Sequence, residues 1–535
     1  MKYTDFDKTA SYGKLLTLAG GFKHFDYRGL LNAARVESAR TPMAGGFTYS
    51  WAAKAVDEGV LKVLQGLADE QELIAKYQAL LDGGIINTGE QRKVLHQLLR
   101  SPDGKALTGK PVEFNGKDIG SFYQEELKRF SAFARKVHDG ELKGSTGKAF
   151  THAVQIGIGG SDLGPRALYI ALENWAQKEG KQKLAAKFIS NVDPDDASQV
   201  INSVPLAQTI FVLVSKSGTT QETLANELFV KDKLQKAGLD PSKHLLAVTS
   251  ETSPLAHNPA YLDSFYIDDF IGGRYSASSA VGGVILSLAF GPEVFAEFLA
   301  GANDADKQAL NPDIKKNAAL LDALIGVWER NFLGYPYTAI LPYSQALARF
   351  PAHLQQLDME SNGKRVNRDG RPVAYSTGPV VFGEPGTNGQ HSFYQLLHQG
   401  TDIVPLQFVG FAESQRGDDV QVDGSGSQTK LLANLAAQIV AFAKGQLVDP
   451  GQDDRNKEFP GGRPSSLIYG KRLSPAALGA LLAHFENKVM FQGFIWNLNS
   501  FDQEGVQLGK ILTKKVLSGN SGDEALDAYS KILGV

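Results

Sequence analysis

The sequence predicts an α/β protein built as two αβα sandwiches with parallel-rich sheets, extra N-terminal helices and a C-terminal helical arm. Three observations predict it. From about residue 120 to residue 290, short apolar runs alternate with helix-like stretches, the pattern of a parallel sheet with crossover helices. A comparable set recurs from residue 337 onward. Before residue 120 and after Pro475, apolar residues instead fall at helical spacing. The expected organisation is an N-terminal helical region over 1–120 and a first, smaller sandwich over 121–290. A second, larger sandwich is expected over 291–515, and an arm over 516–535.

The elements follow in order. Residues 54–67 and 72–81 are predicted helices, with Gly83-Gly84 as a stop. Val154, Ile156 and Ile158 alternate ahead of Gly159-Gly160-Ser161-Asp162, and Pro165 then sits in an early helical turn. A second strand is predicted at 188–192. A third covers 210–214, where five consecutive apolar residues indicate burial on both faces. Thr219 and Glu222 have the capping-box spacing, so a helix is predicted to open there. A fourth strand follows at 245–250. In the second half, a strand at 337–341 leads to a helix over 344–356. Another at 380–382 leads through a glycine-rich loop to a helix at 393–397, and a further strand covers 404–408. Glycine, proline and charge accumulate over 448–466, an expected exposed loop. Long helices are expected at 475–498 and 506–517, and the last residues, from about 517, form the arm.

Composition narrows the function classes. The 535 residues include 55 Lys+Arg and 58 Asp+Glu, a net charge of −3, with no basic block. Nothing there favours nucleic acid or a membrane surface as partner. Cysteine is absent, which excludes a disulfide scaffold, a thiolate zinc site and a cysteine nucleophile. The first 25 residues lack the pattern of a signal peptide. The longest apolar stretches, at 281–290 and 439–443, are too short or too interrupted by glycine to span a bilayer. A soluble, cytoplasmic protein is expected.

The most informative segment is Ser215-Lys216-Ser217-Gly218-Thr219-Thr220, between a buried strand and a helix. Hydroxyls and one lysine at a helix N-terminus meet unpaired N–H donors and the positive end of the dipole, which suits an anion. A plain Ser/Thr-rich turn is the alternative. No Gly-x-x-x-x-Gly-Lys-Ser/Thr run exists, and the third glycine of a dinucleotide fingerprint would fall on Asp162. A small phosphorylated metabolite is therefore favoured over a nucleotide.

Gln356 and Glu360 are four apart and share a helix face. Glu360 stands at a predicted helix end, where the dipole disfavours its charge; it is either a base beside a phosphate cleft or a solvated carboxylate. His391 follows a loop with three glycines and a proline, in the predicted first turn of a helix. The dipole there favours neutral imidazole, suited to proton transfer, and a capping or buried structural histidine is the alternative. No metal-ligand pattern accompanies it. Arg274 follows Gly272-Gly273, which leaves room for a ligand beside its guanidinium. It suits either a developing oxyanion or a surface salt bridge. Gln503 and Lys510 are seven apart, two turns on a helix. Lys510 is a Schiff-base candidate or simply faces water.

Together these segments resemble the glucose-6-phosphate isomerase family. The similar stretches are Asp269-Phe270-Ile271-Gly272-Gly273-Arg274-Tyr275-Ser276, and 493–510 with Phe501-Asp502-Gln503 and Lys510. Also similar are 156–165, Met359-Glu360-Ser361-Asn362-Gly363-Lys364 and Gly389-Gln390-His391-Ser392. Residues 87–100, with Arg92, Val94, Leu95 and His96, resemble the family's N-terminal helix signature. The resemblance runs in order from about residue 87 to residue 510. Two departures stand out: Ser217-Gly218 where many relatives have Thr-Phe, and Glu504 in place of a common tryptophan.

The resemblance implies sugar-isomerase (SIS-type) sandwiches and conversion of glucose 6-phosphate to fructose 6-phosphate, in glycolysis and gluconeogenesis, without metal or cofactor. It places the phosphate on Ser161, Ser215, Lys216, Ser217 and Thr220, with Gly160 also binding substrate and Gln356 and Gln503 near the sugar. His391, assisted by Lys510, would open the ring. Glu360 would move a proton between C2 and C1 through a cis-enediolate, and Arg274 would stabilise that intermediate. The family is dimeric, with the counterpart of His391 reaching into the partner's site. The same sandwiches also resemble sugar-phosphate sensors, which need the phosphate loop but not Glu360, His391 and Lys510 together. Acceptance of mannose 6-phosphate is a second alternative.

Overall fold

Five parallel strands form the first sheet, in the order Ser264–Tyr266, Leu245–Thr249, Thr209–Val214, His152–Ile156, Ala185–Ile189. The computed structural model describes residues 2–22, 25–448, 454–519 and 521–535. Side chains alternate across this sheet, as the two-residue period of a strand requires. Val154, Ile156, Phe211 and Leu213 face the helices Pro194–Asn202 and Gln221–Lys236. Ala153, Val212 and Val214 face the helices Leu163–Lys178 and Ala280–Phe290. Both faces are covered, which explains why every residue of Thr209–Val214 is buried and apolar except its first.

The second sheet has six strands in the order Arg40–Pro42, Thr48–Ser50, Ser465–Gly470, Leu406–Phe411, Tyr337–Pro342, Val380–Phe382. The last four are mutually parallel. The first two form an antiparallel edge. One face packs on Tyr394–Gln399 and Ser427–Lys444. The other joins the main core with Ala318–Asn331, Phe350–Asn362 and the 21-residue helix Pro475–Ile495.

That last helix is buried on every side and pairs most extensively with Pro292–Gln308. Its Glu486 pairs with Arg100, which also binds Asp306 at 2.9 Å, and all three side chains are sealed from water. Further along, Asp322 accepts from Gln407, and meets His484 and Lys488 at 3.1 Å. Such buried pairs contribute little net stability, but losing one partner is costly; here they tie the helix to Arg100, to Pro292–Gln308 and, through Asp322 and Lys488, to Gln407 of the second sheet.

Several expectations need correction. The helix predicted at 54–67 is Glu58–Glu70, because the Asp57 carboxylate accepts from Val60 N–H at 2.8 Å and starts it there. The capping box at Thr219 and Glu222 does not form. Thr220 is the N-cap, the helix is Gln221–Lys236, and the Thr219 hydroxyl donates to Ser217 instead. The strands Arg40–Pro42, Thr48–Ser50 and Ser264–Tyr266 were not predicted, being too short to show a period. Ser465–Gly470 begins inside the segment expected to be loop, of which residues 449–453 lie outside the described ones. The C-terminal helices Gln507–Leu517 and Glu524–Leu533 bury no residue. Among the described residues, no helix is long and apolar enough to cross a membrane.

Candidate active site

The strand order of the first sheet reverses between His152–Ile156 and Thr209–Val214, the place where open parallel sheets bind ligands. The loops leaving these two strands hold Gly159–Ser161 and Ser215–Thr220. Ser215 donates from Oγ to Thr220 Oγ1 at 3.1 Å, and the same Oγ accepts from Gly218 N–H at 3.1 Å. Thr249 Oγ1 donates to the Ser215 carbonyl from the neighbouring strand at 2.8 Å. Gly218 has φ +67°, and a Cβ there would meet Ser253 Oγ at 2.1 Å, so this loop conformation favours glycine. No side chain among the described residues, that of the N-cap Thr220 included, caps the helix Gln221–Lys236. Its first N–H groups and the exposed Ser217 are thus available to an anion.

Lys216 Nζ donates to the Ile271 carbonyl at 3.2 Å and lies 3.6 Å from Asp269. Asp269 also pairs with Arg92 at 3.4 Å. This ties the hydroxyl loop to the segment that carries Arg274. A second tie is direct backbone contact: a Cβ on Gly160 would sit 2.2 Å from Gly273. Gln155, buried in its strand, donates to the Ser161 carbonyl at 2.7 Å and fixes the turn between them.

Arg274 is the most constrained group of the site, 1% exposed. Nε donates to Ser361 Oγ at 2.7 Å, and Nη2 donates to the carbonyls of Ser500 at 2.6 Å and Asp502 at 3.1 Å. Nη1 donates to Gln503 Oε1 at 3.1 Å and lies 3.4 Å from Glu360 Oε2. The guanidinium is desolvated, whereas the Glu360 side chain keeps 23% exposure. A fixed cation with every donor direction assigned therefore faces a carboxylate that is open on one side. The pair can stabilise an oxyanion and move a proton on the same small molecule. The surface salt bridge offered as an alternative for Arg274 is not what forms.

Glu360 sits in the last turn of Phe350–Asn362, as expected. On that helix Gln356 turns toward Gly159, its Nε2 3.4 Å from where a Cβ would stand, and its Oε1 is buried without a partner. Asp358 faces the opposite way, and burial pushes its carboxyl up to about 6 against the pull of Lys488. Beside Glu360 opens a cleft of about 360 Å³, lined by Lys364, Arg368, Asp502, Gln503 and Glu504.

Gln503 and Lys510 do not share a continuous helix. Gln503 is non-helical, at φ −150° and ψ 56°, ahead of a short turn, and Lys510 lies exposed in Gln507–Leu517. His391 does not occupy the first turn of a helix either. It ends the turn Asn388–His391, and Phe393 leaves helical geometry before Tyr394–Gln399 begins, so no helix dipole acts on it from that side. His391 and Lys510 are both exposed. Among the described residues neither makes a hydrogen bond or ion pair to Glu360, Arg274 or Gln503.

Supporting residues went unassigned in the sequence. Ser361 and Ser500 hold Arg274. Asn87 Nδ2 donates to the Phe501 carbonyl at 3.3 Å, Asn499 Nδ2 to Asp502 at 2.6 Å, and Lys364 Nζ to the Asp502 carbonyl at 2.7 Å. His96 stacks on Tyr275 at 4.5 Å, and burial keeps it neutral. All fall inside segments that carry the family resemblance, which was the available signal.

The family model described as phosphoglucose isomerase matches residues 50–531. A glucose-6-phosphate isomerase of Treponema denticola is 61% identical over 538 residues, covering 100% of both chains. One from Treponema pallidum is 60% identical over 99% of this chain and 98% of its own. The crystal structure of a glucose-6-phosphate isomerase from Chlamydia trachomatis superposes with a TM-score of 0.89 at 42% identity, covering 99% of each chain. With the whole chain aligned and the same architecture recovered, the protein belongs to the phosphoglucose isomerase family.

Proposed function

We propose that this chain interconverts D-glucose 6-phosphate and D-fructose 6-phosphate, an aldose–ketose isomerisation of glycolysis and gluconeogenesis. The observation that carries the reading is the Arg274–Glu360 pair beside the hydroxyl loop. Proton abstraction next to a carbonyl needs a positioned base and a charge to meet the oxyanion. Phosphate bound by Ser161, Ser215, Lys216, Ser217 and Thr220 fixes one end of the substrate, with Gly160 also binding substrate, and Gln356 and Gln503 lie along the sugar. Glu360 takes the C2 proton of the open-chain aldose and returns it to C1. Arg274 stabilises the cis-enediolate between these steps.

Ring opening falls to His391 with Lys510. Both are exposed in a single chain, and Leu508, Leu517, Ile532 and Leu533 of the C-terminal helices are also exposed. Apolar helix faces without cover fit burial against a second copy. We therefore assign the active form as a cytoplasmic homodimer in which His391 serves the partner's site. The chain divides as 1–120, 121–290, 291–515 and 516–535, with the site between the two sandwiches.

The direct test is fructose 6-phosphate formation by the purified protein in EDTA without nucleotide. Turnover is expected; phosphosugar binding without turnover would favour a sensor. Mixing inactive Glu360→Gln and His391→Ala proteins under subunit exchange is expected to restore part of the activity, since a mixed dimer holds one intact site. Absence of recovery would mean that each chain supplies its own histidine.

Gly160→Ala tests the backbone contact that positions Arg274. Its methyl group must displace Gly273, and a shift of about 1 Å at a site can cost about a hundredfold. Circular dichroism should stay native while kcat/KM drops by about that factor. Wild-type activity would show that the contact does not matter.

A further inference from the structure

The strand order reverses in the second sheet too, between Tyr337–Pro342 and Leu406–Phe411. This is the topological counterpart of the catalytic crevice, at the carboxyl ends of an open parallel sheet. A cavity of about 250 Å³ lies there, walled by the loops that leave these two strands. We propose that it is a second binding site, for a neutral polyhydroxylated molecule of monosaccharide size that carries no phosphate.

The lining decides the chemistry. Four residues with side-chain amides line it, Asn174, Gln345, Gln415 and Gln428, together with Ser344 and Ser414. Gln428 Nε2 already donates to the Phe411 carbonyl at 2.7 Å and Asn174 Oδ1 accepts from Arg416 at 3.5 Å, which leaves the Gln428 oxygen and the Asn174 amide nitrogen for a ligand. Amides offer a donor and an acceptor side by side and suit vicinal hydroxyls. Gln415 is buried; its Nε2 donates to the carbonyls of Ala171 at 2.7 Å and Leu473 at 3.2 Å, while its Oε1 has no partner. A buried acceptor without a donor is costly; that oxygen is sealed from water, so a ligand hydroxyl satisfies it after a small rotation of the Gln415 side chain toward the cavity. Ser414 Oγ accepts from Gly417 N–H at 3.1 Å and still has its proton to donate. Phe411 and Leu431 supply an apolar wall for the C–H side of a sugar.

Charge excludes an anion here. The helix Ser427–Lys444 would be the phosphate-binding helix of this crevice. Its first N–H groups are already taken by Asp419, which accepts from Ser427 at 2.7 Å and Gln428 at 3.2 Å. Arg416 is likewise engaged, donating to Gln177 at 2.6 Å and Asp418 at 3.2 Å, and Glu413 adds negative charge. In the first sheet the corresponding helix has no side-chain cap and Lys216 lies beside it. The volume is below the roughly 300–1,000 Å³ of drug-sized pockets, so one monosaccharide is the fitting size. Asn174 belongs to the helix Leu163–Lys178 of the first sandwich, so the ligand touches both halves of the molecule.

The test is calorimetric titration of the intact protein with sorbitol, in the presence of saturating fructose 6-phosphate to occupy the catalytic cleft. One sorbitol per chain is expected to bind, and equimolar inorganic phosphate should not displace it. Gln345 is exposed and outside the catalytic cleft, so Gln345→Trp fills the cavity from its rim. This variant should keep isomerase activity and weaken sorbitol at least about tenfold, the scale of one or two lost hydrogen bonds. No binding to the wild type, equal binding to Gln345→Trp, or displacement by phosphate would each overturn the proposal.

Discussion

Replacing Glu360 by glutamine is expected to lower turnover by about a hundred- to ten-thousand-fold, the usual contribution of a positioned base, with KM close to that of the wild type. Glutamine has the same shape, and its amide oxygen can still accept from Arg274, which stands 3.4 Å away. What it lacks is basicity at the C2 proton. In the proposed mechanism the substrate's phosphate and hydroxyl contacts lie elsewhere, so ground-state binding is expected to persist and the loss to fall on kcat. Steady-state kinetics with a parallel binding titration separates the two. Wild-type turnover in Glu360→Gln would remove Glu360 from the chemistry.

Arg274→Lys should have the second-largest effect, a fall in kcat of about 10²–10³, the usual consequence of losing one oxyanion donor. The arginine reaches five partners at once, on Glu360, Ser361, Ser500, Asp502 and Gln503. Lysine offers three donors on a flexible stem and cannot reproduce that planar fork. Because the side chain is buried, some loss of thermal stability accompanies the change. A decrease of less than about tenfold in a well-folded Arg274→Lys protein would mean that the guanidinium is structural and that the enediolate is stabilised by another group.

Much of this site is legible in the sequence. The apolar strand at 210–214 and the loop that leads from it into a helix are legible because burial and turn chemistry act locally. Glu360, Arg274 and Gln503 were each singled out, but sequence spacing says nothing of the 3.4 Å that brings a residue of the 272–276 segment to one near 360. Tertiary packing makes that contact, through Gly160 on Gly273 and Ser361 under the guanidinium. The failures are physical as well. The Thr219–Glu222 pair has a capping-box spacing, yet Thr219 bonds to Ser217, so local hydroxyl chemistry outcompetes the cap. Three-residue strands such as Arg40–Pro42 are held by their partners rather than by their own pattern. His391 was placed in a helix because the residues after it are helix-like, but the glycine-rich loop instead closes a turn that ends at His391.

The central claim is that one carboxylate carries a proton between C2 and C1 of the substrate. The most direct measurement follows the label of glucose 6-phosphate deuterated at C2 into fructose 6-phosphate by NMR and mass spectrometry. Transfer through Glu360 predicts that part of the deuterium reaches C1 and part exchanges into water, and that neither process occurs at a detectable rate in Glu360→Gln. Complete retention of deuterium at C1 with no exchange would indicate a direct hydride shift and contradict the account.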